Sequence, residues 1–394
     1  MTPMQEPLCC VDDLAEAAPG LKAFRRHLHR FPELSFEEKC TSSLVADKME
    51  ELGYEVTRNF GGYGVVATLR RGVGRSVMLR ADMDALPIGE ETLLDYASGT
   101  PGVMHACGHD GHTAMLMGAA EQLVKLKELR GTVHLLFQPA EEAMRNSGAQ
   151  QMLAEGLFER FPCEAIFGMH NHPGVELGKF LIAPGAFMAA SDRAVIQIQG
   201  KSGHAARPHL ALDPIVMAAS LVMALQTIVA RNVNPTQTAV VTVGYLHAGR
   251  AVNAIAESAE MGLSIRSFDE DVRDQLQTRI TDLARSHVQS FGGTAEVQYQ
   301  RGYPVLVNSE SETLFAKKIA EDLVGNENVL FPFPPVAGSE DFSFYLREKP
   351  GCFFRLGIGQ DRPMLHSSKY DFNDNAHAIG AAFWTRLAQA YLNG

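Results

Sequence analysis

The sequence predicts an α/β protein with a mixed, largely parallel sheet flanked by helices and a smaller α+β domain inserted into it. Two observations lead to this prediction. From residue 21 to about residue 185, segments with helical spacing of apolar residues alternate with strand-like segments, which is typical of parallel sheets covered by helices. Between residues 187 and 300 the order becomes β-α-β-β-α-β, which is typical of a compact two-layer domain.

The first region contains alternating predicted helices and strands. Its first two segments carry apolar side chains three and four positions apart, which indicates helices that pack one face against a core. The predicted helices cover residues 21–30, 37–52, 112–129 and 148–155, and the predicted strands cover 64–69, 76–80, 132–137 and 165–169. Polar clusters follow Leu79, Phe137 and Met169. Because ligands bind outside the carboxyl ends of parallel strands, these clusters are candidates for a site.

The inserted region begins with a strand whose apolar and polar residues alternate, followed by a long apolar helix. Its predicted strands cover residues 193–199, 238–245, 259–265 and 295–300, and its helices cover 214–231 and 269–291. From about residue 308 the chain returns to helix, strand and helix. A chain of 394 residues exceeds one ordinary core. We therefore expect a discontinuous domain of residues 1–186 and 301–394 around an inserted domain of residues 187–300.

Composition and charge narrow the class of protein. Hydrophobic residues make up 46% of the chain and charged residues 21%, as in ordinary folded proteins. The formal net charge of −11 disfavours nucleic acids and anionic membranes as partners, because both repel a surplus of carboxylates. The sequence shows no run suited to spanning a bilayer, no signal peptide and no disulfide-like cysteine spacing. We therefore expect a cytoplasmic protein.

The densest group of potential metal ligands is the segment from His105 to His112. Cys107 and His109 stand two positions apart, so that in an extended chain both side chains can reach one ion. A thiolate and an imidazole suit Zn²⁺ and similar divalent metals. The alternative is a buried apolar cysteine accompanied by histidines that cap a helix.

Glu141 and Glu142 are adjacent carboxylates that follow a predicted strand. In a loop, one can bind a metal while the other takes a proton from an acidified water and passes it to a leaving nitrogen. A solvated helix start is the alternative for this pair taken by itself.

His170 follows another predicted strand, and His366 lies in a loop far along the chain. Together with Cys107, His109 and Glu142 they provide five potential metal ligands. Five ligands exceed one tetrahedral site and suit a bridged pair of ions about 3.5–4 Å apart.

With these motifs in place, the chain resembles the M20 metallopeptidase family, in particular the branch of hippurate hydrolases, N-acyl-amino-acid amidohydrolases and auxin-conjugate hydrolases. The matching segments run in the family's order over nearly the whole chain. They are LHRFPELS (28–35), LRADMDALP (79–87), MHACGHDGH (104–112), FQPAEE (137–142), GMH (168–170), GKSGHAA (200–206), GSEDF (338–342) and LH (365–366). The resemblance implies a zinc-peptidase-like fold with a ferredoxin-like inserted domain that acts as a lid and forms a homodimer.

The resemblance also implies a function and roles for single residues. It implies an enzyme that binds two divalent ions, Zn(II) or Mn(II), and cleaves the amide bond of N-acyl amino acids such as hippurate or N-acetyl amino acids. The implied metal ligands are Cys107, His109, Glu142, His170 and His366, with Cys107 as the bridge. Glu141 would be the general base and acid, and His204 would reach the site of a partner subunit and stabilise the oxyanion.

Further residues have supporting roles in this interpretation. Asn253 and Arg266 would hold the substrate carboxylate, and Asp84 would orient a ligand. The chain has Asp82-Met-Asp84 where the wider family has a His-x-Asp motif, and it has residues 143–148 where many relatives are glycine-rich, which leaves the substrate preference open. Two alternatives remain open, namely a dipeptidase or carboxypeptidase with the same machinery and a non-catalytic binding protein on this fold.

Overall fold

The computed structural model describes residues 8–394, which form two compact units. The larger unit contains the chain up to Gly185 together with Val307–Pro334 and Asp341–Gly394. The smaller unit contains Ala186–Leu306 and Pro335–Glu340. The domain limits expected from the sequence stay predictions. The division into two compact units does not show which segment folds on its own.

The helices and strands are numbered here in chain order. The α-helices are α1 Ala18–Arg30, α2 Lys39–Glu51, α3 His109–Leu123, α4 Gly148–Ala154, α5 Leu157–Arg160, α6 Pro214–Asn232, α7 Glu270–Ser290, α8 Glu310–Val324, α9 Phe342–Glu348 and α10 Ala376–Asn393. The first eight strands are β1 Glu55–Phe60, β2 Gly64–Arg71, β3 Ser76–Asp82, β4 Gly131–Gln138, β5 Ala165–His172, β6 Phe180–Leu181, β7 Gly185–Met188 and β8 Ala190–Gln199. The others are β9 Gly203–His204, β10 Ala239–Ala248, β11 Ala254–Ile255, β12 Ser258–Ser267, β13 Thr294–Arg301, β14 Leu306–Asn308, β15 Val329–Leu330 and β16 Gly351–Gly357.

The larger unit is built on an eight-stranded mixed sheet with the strand order β1-β2-β4-β3-β5-β16-β6-β15. Its centre is parallel, since β3 pairs in parallel with β4 and β5, and β5 pairs in parallel with β16. β16 is buried along its whole length, as expected for a strand covered on both faces. The predicted mixed, largely parallel sheet flanked by helices is therefore confirmed.

The smaller unit contains a four-stranded antiparallel sheet with the order β10-β12-β8-β13. Its elements follow one another as β8, α6, β10, β12, α7 and β13, so the predicted β-α-β-β-α-β order is confirmed as a ferredoxin-like arrangement. Both helices bury one stripe in the core of this unit, with Leu221 and Leu225 on α6 and Leu276 and Ile280 on α7.

Within the described residues, α6 is long and apolar enough to cross a membrane by length and composition alone. A third of the residues in its most apolar stretch are buried. The sequence analysis predicted this helix over residues 214–231 but did not count it as a possible membrane span, because Ser220, Gln226 and Thr227 interrupt its apolar run. The buried stripe packs in the core of the smaller unit, which is how an amphipathic helix of a globular domain behaves.

Candidate metal centre

The potential ligands of the larger unit follow the ends of its central strands. β3 ends at Asp82, β4 at Gln138 and β5 at His172. Because these strands are parallel, their carboxyl ends meet at one edge of the sheet. The loop that carries His366 is held at the same edge, since the backbone N–H of His366 donates to the carbonyl oxygen of Ala106 at 2.8 Å.

A first ligand group consists of Cys107, His109 and His170, which are all buried. Their ligand atoms lie within 4.8 Å of one another, and the Cys107 Sγ lies 3.3 Å from the His170 Nε2. The His170 Nδ1 lies 2.7 Å from the carbonyl oxygen of Asn171 and donates to it, so the lone pair of Nε2 faces Cys107.

A second ligand group consists of Cys107, Glu142 and His366, again with ligand atoms within 4.8 Å of one another. The His366 Nε2 lies 3.2 Å from the Glu142 Oε1. The imidazole of His366 is half exposed, so this group faces solvent more than the first one does. The two groups share the sulfur of Cys107.

Gly108 makes this arrangement possible. It lies in the left-handed region at φ +88°, between the two ligands Cys107 and His109 and directly before α3. A Cβ at this position would lie 2.4 Å from both the Asn171 Nδ2 and the Tyr370 hydroxyl. Only glycine therefore allows the turn that brings both neighbours to the same site.

Asp84 contacts one ligand of each group through its carboxylate oxygens. Its Oδ1 lies 3.1 Å from the His109 Nδ1, and its Oδ2 accepts hydrogen bonds from the backbone N–H of Glu142 at 3.0 Å and from the Ser35 hydroxyl at 2.7 Å. The His109 Nδ1 is thus the donor, and the Nε2 carries the lone pair. That Nε2 is buried and makes no hydrogen bond with any residue the structure describes.

The electrostatics of these side chains reflect the close approach of several potential ligand atoms. Hydrogen bonding to Cys107 first and to Glu142 second raises the pKa of His366 to about 10, and burial raises the pKa of the Cys107 thiol. A divalent cation would take the place of the proton among these atoms, because ligands bind metals in their deprotonated form. The Cys, His and carboxylate atoms, together with the buried His109 Nε2, therefore fit divalent metal ions.

Asp82, His109 and His112 form a third cluster, but both ring nitrogens of His112 already make hydrogen bonds. The His112 Nδ1 lies 2.6 Å from the Asp82 Oδ1, and the His112 Nε2 accepts the backbone N–H of Asn171 at 2.9 Å. His112 thus holds the strand end that carries His170 and is not available as a ligand. The sequence analysis assigned no role to Asp82, His112 or Asn171, although all three lie within or beside the matched motifs.

Glu141 lies next to the ligands. It begins a 3-10 helix, Glu141–Ala143, that is flanked by Ala140 and Met144, both in the left-handed region at φ +52° and +56°. Glu141 is buried, and one of its carboxylate oxygens lies within 4.8 Å of ligand atoms of His109 and Glu142. The larger unit therefore brings the five predicted ligands together with Glu141 and Asp84, while their roles stay predictions.

The other three predicted site residues belong to the smaller unit. His204 is exposed and pairs with Ala254 in the two-stranded ladder of β9 and β11, and its Nδ1 accepts the backbone N–H of Ala206 at 3.0 Å. Asn253 is close by, since its carbonyl oxygen accepts the N–H of Ala205 at 3.1 Å. Arg266 lies apart from them on β12, and burial lowers the pKa of its guanidinium.

Comparison with known proteins agrees with this site. The sequence pattern of the peptidase family M20/M25/M40 matches residues 78–390. The chain is 39% identical to the hippurate hydrolase of Campylobacter jejuni, over 97% of this chain and 99% of that protein. It is 37% identical to the thermostable carboxypeptidase 1 of Saccharolobus solfataricus, over 97% and 98% of the two chains.

A solved structure is similar to this chain over nearly its whole length. The crystal structure of a Bacillus subtilis protein, described as a dinuclear metal binding peptidase from the M20 family, superposes with a TM-score of 0.84 at 32% identity and covers 96% of this chain and 99% of that chain. These matches confirm the resemblance inferred from the motifs, and they indicate an enzyme rather than the non-catalytic alternative. The chain therefore belongs to the peptidase family M20/M25/M40 and is a metal-dependent amidohydrolase.

Proposed function

We propose that the protein binds two divalent ions, Zn(II) or Mn(II), and hydrolyses N-acyl amino acids to a carboxylic acid and a free amino acid. The observation that carries this proposal is the pair of ligand groups that share Cys107 and lie beside the buried carboxylate of Glu141. Each group offers three protein ligands, which leaves open positions for water and substrate. The similarity to a hippurate hydrolase and to a dinuclear peptidase supports it.

The proposed reaction assigns separate tasks to the side chains. Bound divalent ions would polarise the amide carbonyl and make a nearby water acidic. The Glu141 carboxylate takes the proton from the attacking water and then delivers it to the leaving amide nitrogen. Asp84 holds His109 in the tautomer that presents Nε2, because its Oδ1 accepts the Nδ1 proton. His204 would stabilise the oxyanion from a second copy of the chain, and Asn253 and Arg266 would hold the substrate carboxylate.

A carboxypeptidase is the second candidate function, because the similarity to a carboxypeptidase is nearly as high as that to the hippurate hydrolase. The two activities differ in the group that lies on the acyl side of the cleaved bond. A dipeptide carries a free α-amino group there, which needs an acidic partner, whereas an N-acyl group does not. The predicted site residues include no carboxylate set aside for that amino group, which favours N-acyl substrates.

The decisive experiment measures hydrolysis with the metal-loaded protein. Hippurate, N-acetyl amino acids, indole-acetyl amino acids and free dipeptides are compared at equal concentration after reconstitution with Zn²⁺ or Mn²⁺. We expect kcat/KM to be highest for an N-acylated substrate. A clear preference for free dipeptides would replace the proposal by a dipeptidase or carboxypeptidase function, and no hydrolysis of any amide would contradict both.

We also propose that the protein forms a homodimer through the smaller unit. β10 is an edge strand of ten residues that pairs only with β12 within its sheet, and it exposes Val240 and Leu246. The neighbouring helix α6 exposes Val216 and Met223, the latter to 71%. A long, exposed edge strand with apolar side chains pairs readily with a second copy.

The assembly can be tested by light scattering coupled to size-exclusion chromatography. The wild type is expected at twice the chain mass of 43.0 kDa. Met223→Glu should shift the equilibrium towards the monomer, because a buried unpaired charge opposes association. A monomeric wild type would contradict the proposal, and binding of the monomer to lipid vesicles would instead assign the apolar face of α6 to a membrane.

A further inference from the structure

Three buried carboxylates anchor the segment of residues 138–149, called the Glu141 loop below. The backbone N–H of Ala140 donates to the Glu38 Oε1 at 2.7 Å, that of Glu142 to the Asp84 Oδ2 at 3.0 Å, and that of Ala149 to the Asp341 Oδ2 at 3.1 Å. All three acceptors are buried in the larger unit. The loop that carries Glu141 is therefore held at its backbone by side chains from three distant segments.

The hydrogen bond to Glu38 holds a residue of the loop that has a left-handed backbone conformation. Ala140 has φ +52° and ψ +46°, a left-handed conformation that costs a residue with a Cβ free energy. It directly precedes Glu141. A rotation of this one residue would turn the Glu141 side chain away from His109 and Glu142. Such a conformation persists only where its surroundings fix it, and the hydrogen bond to Glu38 is one of the contacts that do so.

The segment before α2 leaves the Glu38 side chain available for this contact. Glu38 occupies the position before the first helical residue, where a side chain commonly caps the helix. Glu33 caps α2 instead, since its two carboxylate oxygens accept the N–H groups of Cys40 and Thr41 at 2.9 and 2.8 Å. The carboxyl group of Glu38 is thus free of the capping role and lies fully buried against Ala140.

We propose that Glu38 is a positioning residue that fixes the backbone of Ala140 and thereby aims the carboxylate of Glu141 at the reacting groups. This inference rests on the proposed function of Glu141 in proton transfer. Glu38 itself belongs to neither ligand group, and its hydrogen bond to the Glu141 loop is the one to the backbone of Ala140. A misplacement of about 1 Å at a catalytic group can lower turnover by roughly 100-fold, which makes such an anchor measurable.

The protonation state of Glu38 suggests the conservative replacement. Burial, and after it the negative charge of Asp84, raises the pKa of Glu38 to about 8. The neutral acid still has a carbonyl oxygen that accepts the N–H of Ala140, and the amide of glutamine offers the same acceptor with the same shape. Glu38→Gln should therefore preserve the anchor, whereas Glu38→Ala removes it.

Thr68→Val serves as a matched control for the loss of a buried hydrogen bond. The Thr68 hydroxyl lies 2.9 Å from the His134 Nδ1, and both residues are buried in the larger unit. His134 lies on β4 four residues before Gln138, which is roughly 13 Å along the strand from the Glu141 loop. This variant should lose stability without disturbing the loop.

The test measures amide hydrogen exchange of the Glu141 loop, metal content, kcat and KM for each variant. In Glu38→Ala we expect exchange in the loop to accelerate roughly tenfold and kcat to fall roughly 10- to 100-fold, with KM and metal content close to wild type. Glu38→Gln should stay within about threefold of wild type in both exchange and kcat. Thr68→Val should keep the wild-type kcat and the wild-type hydrogen exchange of the loop, even if its melting temperature falls.

The outcomes separate this inference from the proposed function. Wild-type exchange and kcat in a metal-loaded Glu38→Ala would overturn it, and so would a Glu38→Gln variant as impaired as Glu38→Ala. Equal losses of kcat in Glu38→Ala and Thr68→Val would show a general stability effect and also overturn it. If the wild type hydrolyses no amide, the proposed function fails, whereas hydrogen exchange still reports whether Glu38 holds the loop.

Discussion

Replacement of Asp84 by asparagine should weaken both metal positions at once, because this carboxylate supports one ligand of each group. Its Oδ1 lies against the Nδ1 of His109, and its Oδ2 accepts the N–H of Glu142 and the hydroxyl of Ser35. Burial by itself would raise the pKa of Asp84, but the hydrogen bond from His109 and those from its other donors hold it below its usual value. The group is therefore an ionised acceptor for three donors.

The size of the effect follows from these contacts. In Asp84→Asn, one oxygen becomes an NH₂ group, which cannot accept a hydrogen bond. The side chain then keeps an acceptor for either the His109 Nδ1 or the Glu142 N–H, but not for both. A hydrogen bond to a charged group contributes about 1.5–3 kcal/mol. Removal of such a partner behind a metal ligand typically lowers metal affinity roughly 10- to 100-fold, or about 1.4–2.7 kcal/mol. Since His109 and Glu142 belong to different ligand groups, the group that loses its acceptor should bind its ion more weakly, and the loss of the negative charge of Asp84 should also weaken the other.

Titration of the metal-free protein with Zn²⁺ against a competing chelator measures both steps. Ser35→Ala is the matched control, because it removes only the 2.7 Å bond from Ser35 to Asp84 and leaves the contacts to His109 and Glu142 in place. Its metal affinity should stay within about threefold of wild type. The reasoning is refuted if Asp84→Asn binds two ions as tightly as the wild type, or if Ser35→Ala weakens binding just as much.

Three further predictions concern the proposed roles. Glu141→Gln should keep its metal ions but lose roughly 10²–10⁴-fold in turnover, as measured on metal-loaded protein, and near-normal turnover would remove Glu141 from proton transfer. Cys107→Ala should lose metal from both groups by elemental analysis, whereas Cys352→Ala, which alters a buried cysteine outside the ligand groups, should retain it. If His204 acts across a two-fold dimer, a mixture of inactive His204→Ala and Glu141→Gln chains should recover about a quarter of wild-type activity after subunit exchange. No recovery despite confirmed exchange would mean that His204 acts within its own chain or not at all.

The hydrophobic pattern predicted the central elements of the fold but misplaced their ends at the site. The strand expected over residues 165–169 extends to His172, and the helix expected from residue 112 begins at His109. Both extensions consist of polar residues whose burial depends on partners elsewhere in the chain. Short strands such as β6 and β15 were not predicted, because two residues carry no detectable period.

Side chains with metal-binding chemistry were recognisable in the sequence, whereas the residues that support them were not. Cys107 and His109 stand in one motif with a spacing that points to a metal. The roles of Asp82, His112 and Asn171 follow instead from hydrogen bonds between residues that lie 30 and 59 positions apart. No local pattern predicts such pairs, since each depends on the way in which β3, α3 and β5 pack.

The anchors along the Glu141 loop lie on either side of residues 143–148, the stretch in which the sequence analysis expects the chain to differ from many relatives. The three carboxylates hold the loop at Ala140, Glu142 and Ala149, on either side of the divergent stretch. Gly148 is the exception within that stretch, because a Cβ there would lie 1.7 Å from the carbonyl oxygen of Pro139. Ser147 is fully buried and is the N-cap residue of α4, and Met144 and Asn146 lie in the left-handed region. Ala143 and Arg145 are therefore the positions of the stretch whose side chains are least constrained by the backbone that presents Glu141 and Glu142.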